Sequence, residues 1–581
     1  MALGYKENKS IPNTIIFCKG GIFLRMTGAE MVVKALEKNG VKVVFGYPGA
    51  ANAPIIDKMS FSSIKHILTR NEQGAAHMAS GYARVTKRAG VCTATSGPGA
   101  TNLITGIATA YMDSVPMVAL TGQVGTALIG KDAFQEVDIT GATLPFTKHS
   151  YLIKDGLEIG KVVNEAFHIA ETGRPGPVLI DFPMDLLKQE FDYPDEDEPV
   201  NIRGYKVTGK ANESQVKKVA EAIKTAKKPV ILAGGGIVVS DAMNEFRKFV
   251  KETDIPVVST MMGIGTLPTD HPRYYGMIGS HGVKRANMIF NRADCVIVMG
   301  SRLGDRTVAH VKGLEDGNKL IHIDIDPAEI GKNVQPYIPV VGDIKDVLEQ
   351  LTPLMSDYKA AKEWTEEAEE VRARFTHEPF SEDNGFVNPK YFLTVLTEKT
   401  NSDVYLSTEV GQNQIWAANS FGFKTPRSLL TSGGFGTMGY GLPSAIGASV
   451  AANGEKPVIA VMGDGSFQMD LPEMGTMAYW DIPVKMVLFK NGRLGMVHEH
   501  QYLLYNSNYQ AVNIEGTPDF EMLARAYGFN TSTVTQNSEV GAAIDRLLAD
   551  DKSYLLVVNV NPFEPTGDVL NEAELPKKEV K

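Results

Sequence analysis

The 581-residue sequence is poor in cysteine and tryptophan, with three of each. Cys18, Cys92 and Cys295 form no CxxC pair, and three thiols cannot all be joined in disulfides. This usage points to a reducing compartment, the cytoplasm. No apolar run approaches the roughly 20 residues that cross a bilayer, so no membrane span is expected. Thr14–Cys18 is apolar but short, is followed by Lys19 and lacks a small-residue cleavage site, which argues against a secretory signal. Positive charge is also scarce. Lys and Arg total 58 against 68 Asp and Glu, a formal net charge of −10, which argues against a general nucleic-acid surface. The unit spanning 209–355 lacks a GxGxxG phosphate loop after its apolar strands, so a Rossmann dinucleotide fingerprint is not supported there.

What is present is a globular composition, 43% hydrophobic and 22% charged. The length suits three or four domains. The most informative stretch runs from Gly463 to Asn491. Apolar Pro457–Met462 reads as a buried strand that stops at Gly463-Asp464-Gly465. Two glycines around an acid allow a sharp turn and a close approach to a ligand. Ser466 onward reads as a helix, with Glu473 early in it and Met469, Met474 and Met477 as apolar positions. A second apolar strand, Val484–Phe489, then delivers Asn491. Parallel strands joined by a right-handed crossover bring their carboxyl ends side by side. Asp464 and Asn491 can therefore offer oxygen to one hard cation. Magnesium takes such ligands and keeps places for a diphosphate, and a helix N-terminus beside it would suit phosphate.

In chain order, residues 1–25 read as an N-terminal extension without assigned function. From 26 to 190 strands and helices alternate. The first helix has Thr27 as cap, Glu30 three residues on and Gly40 at its end. Glu72 follows a short strand and opens an Ala-rich helix, where a lone carboxylate can simply cap. Ser96-Gly-Pro-Gly99 is a Gly-rich loop entering a helix, and Gln135 and Lys148 lie in later loops. Residues 188–208, acidic with prolines, read as a linker. A second unit, 209–355, has strands ending at Gly234-Gly235-Gly236, Met261-Met262-Gly263, Gly300-Ser301-Arg302 and Asp324-Ile325-Asp326, a nucleotide-like site. Residues 356–385 form a charged connector. The third unit, 386–565, contains Gly411-Gln412-Asn413 after a strand and the glycine-rich Ser432–Gly439 turn. Residues 566–581 form a charged tail. The fold class is α/β, with three doubly wound parallel-sheet domains and ligands at the strand carboxyl ends.

These motifs support a family assignment. GDG, then a second strand ending in Asn, resembles the thiamine-diphosphate signature. NEQGAAHMASGYAR, TSGPGATNLITGIATA, LTGQVGTALIGKDAFQEVD, TKHSYLI and GRPGPVLIDFP resemble acetohydroxyacid synthase (acetolactate synthase) large subunits, over roughly residues 27–565. The resemblance implies a pyrimidine-binding domain, a central FAD-binding-like domain and a diphosphate-binding domain. It implies Glu72 as the acid that protonates the aminopyrimidine. That task requires an apolar pocket, because burial raises a carboxyl pKa toward the working range. Gln135 and Lys148 match residues near the reacting centre. Asp464, Asn491 and the carbonyl of Arg493 would hold Mg2+. Gly411, Gln412 and Asn413 would hold the diphosphate, Gly463, Gly465, Ser466, Gly495 and Met496 would also bind thiamine diphosphate, Gly436 would lie against its pyrimidine and Met438 under the bent cofactor. FAD, without redox turnover, would contact Arg174, Gly234, Gly235, Met262, His281, Gly282, Gly300, Arg302, Arg306, Asp324, Ile325 and Asp343.

The implied reaction decarboxylates pyruvate and transfers a two-carbon unit to a second 2-keto acid, giving 2-acetolactate, or 2-aceto-2-hydroxybutyrate from 2-ketobutyrate. The implied assembly is a homodimer or homotetramer in which Glu72 faces the other subunit's metal site, with a small regulatory subunit as a further partner and no nucleic acid or membrane. Alternatives are a 2-keto acid decarboxylase, an oxidase or a diketone-cleaving enzyme on the same scaffold, and a non-catalytic paralogue. The intact set Glu72, Asp464 and Asn491 argues against the last. Three departures from the family pattern stand out. His500 occupies the usual Trp position, Ser280-His281-Gly282 replaces Met-His-Gly, and Arg302-Leu-Gly-Asp-Arg306 replaces Arg-Phe-Asp-Asp-Arg. The first bears on acceptor preference, the others on FAD contacts.

Overall fold

The computed structural model describes residues 14–18, 21–194, 199–207, 209–308, 319–376, 380–516 and 518–567. Three six-stranded, wholly parallel sheets dominate it. The first runs, in spatial order, Lys65–Leu68, Val43–Gly46, Gly90–Ala94, Met117–Gln123, Pro177–Pro183, His149–Leu152. The second runs Tyr274–Met277, Val257–Ser259, Pro229–Ala233, Cys295–Met299, Lys319–Asp324, Ile338–Val341. The third runs Leu429–Leu430, Tyr405–Thr408, Val458–Gly463, Lys485–Lys490, Tyr554–Asn559, Asn530–Val534.

Continuous apolar strands are what a sheet covered on both faces requires. Alternate residues bury opposite faces. Ile231, Ile297 and Ile321 enter one core of the central domain, while Val230, Val296 and Leu320 enter another. Cys92 and Cys295 are buried free thiols, each pushed up to about 12 by burial. Neither is a nucleophile at neutral pH.

The first and third domains share a core. Phe45, Cys92 and Ala119 belong to the same apolar cluster as Ala460, Met486 and Leu555. Helix Glu72–Thr86 crosses helix Gly441–Ala452 at its centre. Gly81 and Gly447 permit that crossing: a Cβ on Gly81 would stand 2.0 Å from the Ser444 carbonyl oxygen, and one on Gly447 would stand 1.9 Å from that of Met78.

The first helix, Gly28–Lys38, starts with the expected capping box. Thr27 N donates to Glu30 Oε2 at 2.8 Å, and Glu30 N donates to Thr27 Oγ1 at 3.3 Å. The segments read as an extension and a linker meet each other. Gly21–Thr27 pairs antiparallel with Thr14–Cys18 on one side and Glu190–Pro194 on the other. Both ends of the first domain are thereby tied into one small sheet. Of the charged tail, residues 568–581 lie outside the described residues. Among the described residues no helix is long and apolar enough to cross a membrane.

Candidate active site

Strands Tyr405–Thr408, Val458–Gly463 and Lys485–Lys490 are neighbours, and Gly463 stands opposite Phe489. The chain leaves the first of these toward Leu429–Leu430 and returns on its other side to Val458–Gly463. Such a switch point opens a crevice at the strand ends. A cavity of about 60 Å³ lies there, lined by Gly411, Gln412, Asn413, Met438, Gly463, Asp464, Gly465, Ser466, Asn491, Arg493, Gly495 and Met496. Residues distant in the sequence thus converge because each follows the end of a strand or its turn.

Asp464 is buried, and its Oδ2 accepts from Gly492 N at 2.7 Å. Burial pushes its carboxyl up to about 6, against the pull of the surrounding backbone N–H groups. Asn491 Oδ1 accepts from Arg493 N at 3.0 Å, and its Nδ2 donates to Gln412 Oε1 at 3.2 Å. Gln412 Nε2 donates to Glu499 Oε2 and to the Glu564 carbonyl, both at 2.9 Å. Helix Gln412–Ser420 begins at Gly411 without a side-chain cap. Asn413 Oδ1 is buried without a hydrogen-bond partner. The crevice therefore offers a buried carboxylate, an orphaned amide oxygen and open helix N–H groups, a donor set matched to a cation carrying phosphate.

Glu72 and Gln135 both stand at the Ser96–Gly99 turn. A Cβ on Gly99 would lie 3.3 Å from Glu72 Oε1, and one on Gly97 would lie 2.8 Å from the Gln135 carbonyl. Glu72 Oε2 accepts from Asn102 Nδ2 at 2.9 Å. The apolar burial expected of Glu72 is not supplied by its own chain, since the helix N-terminus that carries it is half-exposed. Gln135 adopts φ +59° in a loop that the Glu136 carboxylate gathers, accepting from Lys131 N and Ala133 N at 3.2 and 3.0 Å.

Lys148 does not join this pair. Its ammonium donates to the carbonyls of Ile169 and Thr172 and to Tyr205 Oη, closing the end of helix Ile159–Glu171. The carbonyl end of that helix supplies the acceptors a cation needs, so Lys148 caps the helix in this structure. Burial and nearby Arg174 hold this lysine down to about 8.

A larger cavity, about 1180 Å³, opens where the three domains meet. It is lined by Arg174, Gly235, Met262, His281, Gly300, Arg302, Arg306, Asp324, Ile325 and Asp343, with Gly436 and His500 from the third domain. Gly411 and Met496 line both cavities, so the two adjoin. Gly234 and Gly282 line neither. A Cβ would stand 2.1 Å from the Gly300 carbonyl oxygen at 234, and 2.4 Å from that of Met277 at 282, so both serve close packing. Arg174 is not an open fork. It pairs with Asp326 at 3.1 Å and Glu329 at 2.6 Å and donates to Ser114 Oγ. Asp343 caps helix Ile344–Leu354 by accepting from Lys345 N at 2.9 Å. Buried Asp324 is raised in pKa by that burial. His500 stacks on His281 across the cavity, ring centroids 6.4 Å apart, while His498 turns away to stack on Tyr509 at 4.2 Å.

Three family models match the chain in order: the N-terminal TPP binding domain of thiamine pyrophosphate enzymes over residues 26–142, the central domain over 216–351 and the C-terminal TPP binding domain over 409–558. A probable acetolactate synthase large subunit of Methanocaldococcus jannaschii is 45% identical over 552 residues, covering 93% of each chain. The chain belongs to the acetolactate synthase large-subunit family. An acetolactate synthase large subunit of Lactococcus lactis is 41% identical and again covers 93% of each chain. That of Corynebacterium glutamicum is 43% identical, covering 90% of this chain and 84% of its own. The crevice lies in the segment matched by the C-terminal TPP binding domain, and Glu72 in that matched by the N-terminal one.

Within this family frame, sequence reading missed two buried acids of the third domain. Glu409 accepts from Gly439 N at 2.8 Å and Gly441 N at 2.7 Å, anchoring the loop that carries Gly436 and Met438, and burial pushes it up to about 7. The glycines flanking Tyr440 were its available signal. Glu473, seen in the sequence only as an early helix residue, reaches the first domain.

Proposed function

We propose that this chain is the catalytic subunit of a thiamine-diphosphate-dependent carboligase. It breaks the carboxyl bond of pyruvate to release CO2 and forms a new carbon–carbon bond to a second 2-keto acid, giving 2-acetolactate. The observation that carries the reading is the convergence of Asp464, Asn491 and orphaned Asn413 at adjacent strand ends, in a chain that retains Glu72. The donor set fits the cofactor. Asp464, Asn491 and the Arg493 carbonyl would hold Mg2+. Gly411, Gln412, Asn413, Gly463, Gly465, Ser466, Gly495 and Met496 would hold the diphosphate. When bound, thiamine diphosphate supplies the electron sink for decarboxylation.

The residues of the chain do the rest. Glu72 holds a proton at the pyrimidine ring nitrogen. Gln135, beside the same turn, orients the acceptor. Gly436 and Met438, fixed by Glu409, set the pyrimidine face. Because Glu72 is half-exposed in its own chain, a second subunit must exclude water from it. This supports a homodimer with two shared sites, each pairing Glu72 of one chain with Asp464 of the other. The 1180 Å³ cavity has the size for FAD in a non-redox role, held by Arg302, Arg306 and Asp324. A small regulatory subunit and a cytoplasmic location complete the reading, as do domains bounded near 26–190, 209–355 and 386–565.

The test is a product assay on purified protein with thiamine diphosphate, Mg2+ and pyruvate, with and without 2-ketobutyrate and FAD. Acetolactate supports the reading, and the competition ratio reports what His500 does to acceptor choice. Acetaldehyde or acetate without carboligation overturns it.

A further inference from the structure

Glu473 is fully buried, yet its carboxylate serves the other thiamine-binding domain. Its Oε1 accepts from Asn71 N at 2.9 Å and Arg70 N at 3.0 Å, and its Oε2 accepts from Thr476 Oγ1 at 2.5 Å. Arg70 and Asn71 are the two residues that deliver Glu72. Asn71 is the cap of helix Glu72–Thr86, its side chain accepting from Gln73 N at 2.7 Å. Arg70 ties the same junction further by donating to the Gly475 carbonyl at 3.1 Å. The carboxylate lies so close to the first helical turn that a Cβ on Gly74 would stand 2.4 Å from Glu473 Oε1. A carboxylate at this end of a helix is favoured by the aligned amides.

We propose that Glu473 is a positioning residue for the reaction: through the backbone of Arg70 and Asn71 it sets the place and direction of the Glu72 carboxyl. This rests on the reading of Glu72 as the proton-handling acid. Glu72 follows the clamped pair directly, so release of the clamp moves it with the helix N-terminus. A displacement of about 1 Å at a reacting group costs about 100-fold in rate.

The test uses the holoenzyme and four variants: E473A, E473Q, G74A and E72Q. E473A should lose about 100-fold in kcat with KM for pyruvate nearly unchanged. In hydrogen exchange, amides of residues 70–75 should exchange about tenfold faster or more. E473Q keeps an acceptor oxygen and should recover about tenfold over E473A. G74A would put a Cβ 2.4 Å from Glu473 Oε1, pushing the buried carboxylate off the Arg70 and Asn71 amides, so Tm should fall on either account. A merely structural contact predicts that the folded G74A enzyme keeps its kcat and pH profile, whereas the clamp predicts lost kcat in the folded enzyme at temperatures well below its Tm. If E473A fails to fold, E473Q and G74A carry the test. Wild-type kcat in G74A and E473Q, or lost kcat in E473A with unchanged exchange at 70–75, overturns the proposal. E72Q separates the two readings. Wild-type turnover in E72Q refutes the acid assignment, whereas an inactive E72Q beside fully active Glu473 and Gly74 variants refutes only the clamp.

Discussion

Asp113 offers a sharp test of how the two thiamine-binding domains are joined. It ends helix Ile104–Met112, and its side chain is 0% exposed. Oδ2 accepts from Arg84 Nη2 at 2.8 Å and Gly433 N at 3.2 Å, while Oδ1 accepts from Gly434 N at 2.8 Å. Arg84 also donates to the Thr431 carbonyl at 3.0 Å and lies over the Tyr440 ring. Asp113→Ala leaves a buried guanidinium unpaired, a loss of about 3–5 kcal/mol, and strips two backbone N–H groups of their acceptor at about 1 kcal/mol each. Arg84 keeps Thr431 and Tyr440, and the truncation admits water, so the net expectation is about 4 kcal/mol. At about 2–4 °C per kcal/mol for a domain of this size, Tm falls by roughly 10 °C. A cycle of Arg84→Met, Asp113→Ala and the double variant, followed by thermal and urea unfolding, isolates the pair, with an expected coupling of about 2 kcal/mol. The loop released carries Gly436 and Met438, so thiamine diphosphate should also bind more weakly. A Tm within about 2 °C of wild type, or a coupling below about 0.5 kcal/mol, refutes the reasoning.

Gly447→Ala should lower Tm, because its Cβ would meet the Met78 carbonyl oxygen at 1.9 Å and the strain of overpacking, about 1–3 kcal/mol or more, exceeds the gain in helix propensity. Gly541→Ala, in helix Val540–Ala549 with nothing within 4 Å, should instead hold or raise Tm in the same melting assay. On the proposed function Asp464→Asn removes the one charged ligand proposed for Mg2+, worth about 2–3 kcal/mol, so titration should show the Mg2+ needed for half-maximal activity rising about 100-fold. Buried Glu409 and Asp470 are held up at about 7 and 8 in the folded chain, by burial and, for Asp470, also by neighbouring Glu409 and Glu473. Both acids bind a proton more tightly folded than unfolded, so their contribution to stability is fully present below the unfolded carboxyl pKa of about 4 and is lost as pH rises through 7–8. Tm measured from pH 5 to 8 should decline less steeply in Glu409→Gln and Asp470→Asn, and identical slopes would refute this.

Most of the fold was legible because its signals are local. Buried strands read as unbroken apolar runs, and the Thr27–Glu30 box lies within one turn. The meeting of Gly411, Asp464 and Asn491 in one crevice was legible for the same reason: each follows an apolar strand, and parallel topology brings them together. What was not legible depends on contacts between remote residues. Glu473 and Arg70 are 403 residues apart, and Asp113 and Gly434 are 321 apart. A lysine in a loop can meet a substrate or a helix end, and only the fold shows Lys148 against the carbonyls of Ile169 and Thr172. The expected continuous helix after Ser466 is instead a short helix, Asp464–Phe467, followed by a separate turn at Leu471–Glu473 and a second helix, Met474–Trp480. Met469, read as an apolar helix position, lies between these elements and is 56% exposed.

The cross-domain carboxylates form a reciprocal arrangement. Asp113 of the first domain grips backbone amides of the third, ahead of Gly436 and Met438. Glu473 of the third grips backbone amides of the first, directly ahead of Glu72. Between them, helices Glu72–Thr86 and Gly441–Ala452 cross at a contact that two glycines make possible. A backbone clamp differs from a side-chain pair because it fixes the path of the chain, not one rotamer. Each functional loop is thus held by a residue of the opposite domain, so neither domain alone can present its loop in the observed place. If the proposed dimer forms, Glu72 and Asp464 of one chain serve different sites. The intrachain clamps then set the spacing between the two sites, and loosening either clamp should disturb both together.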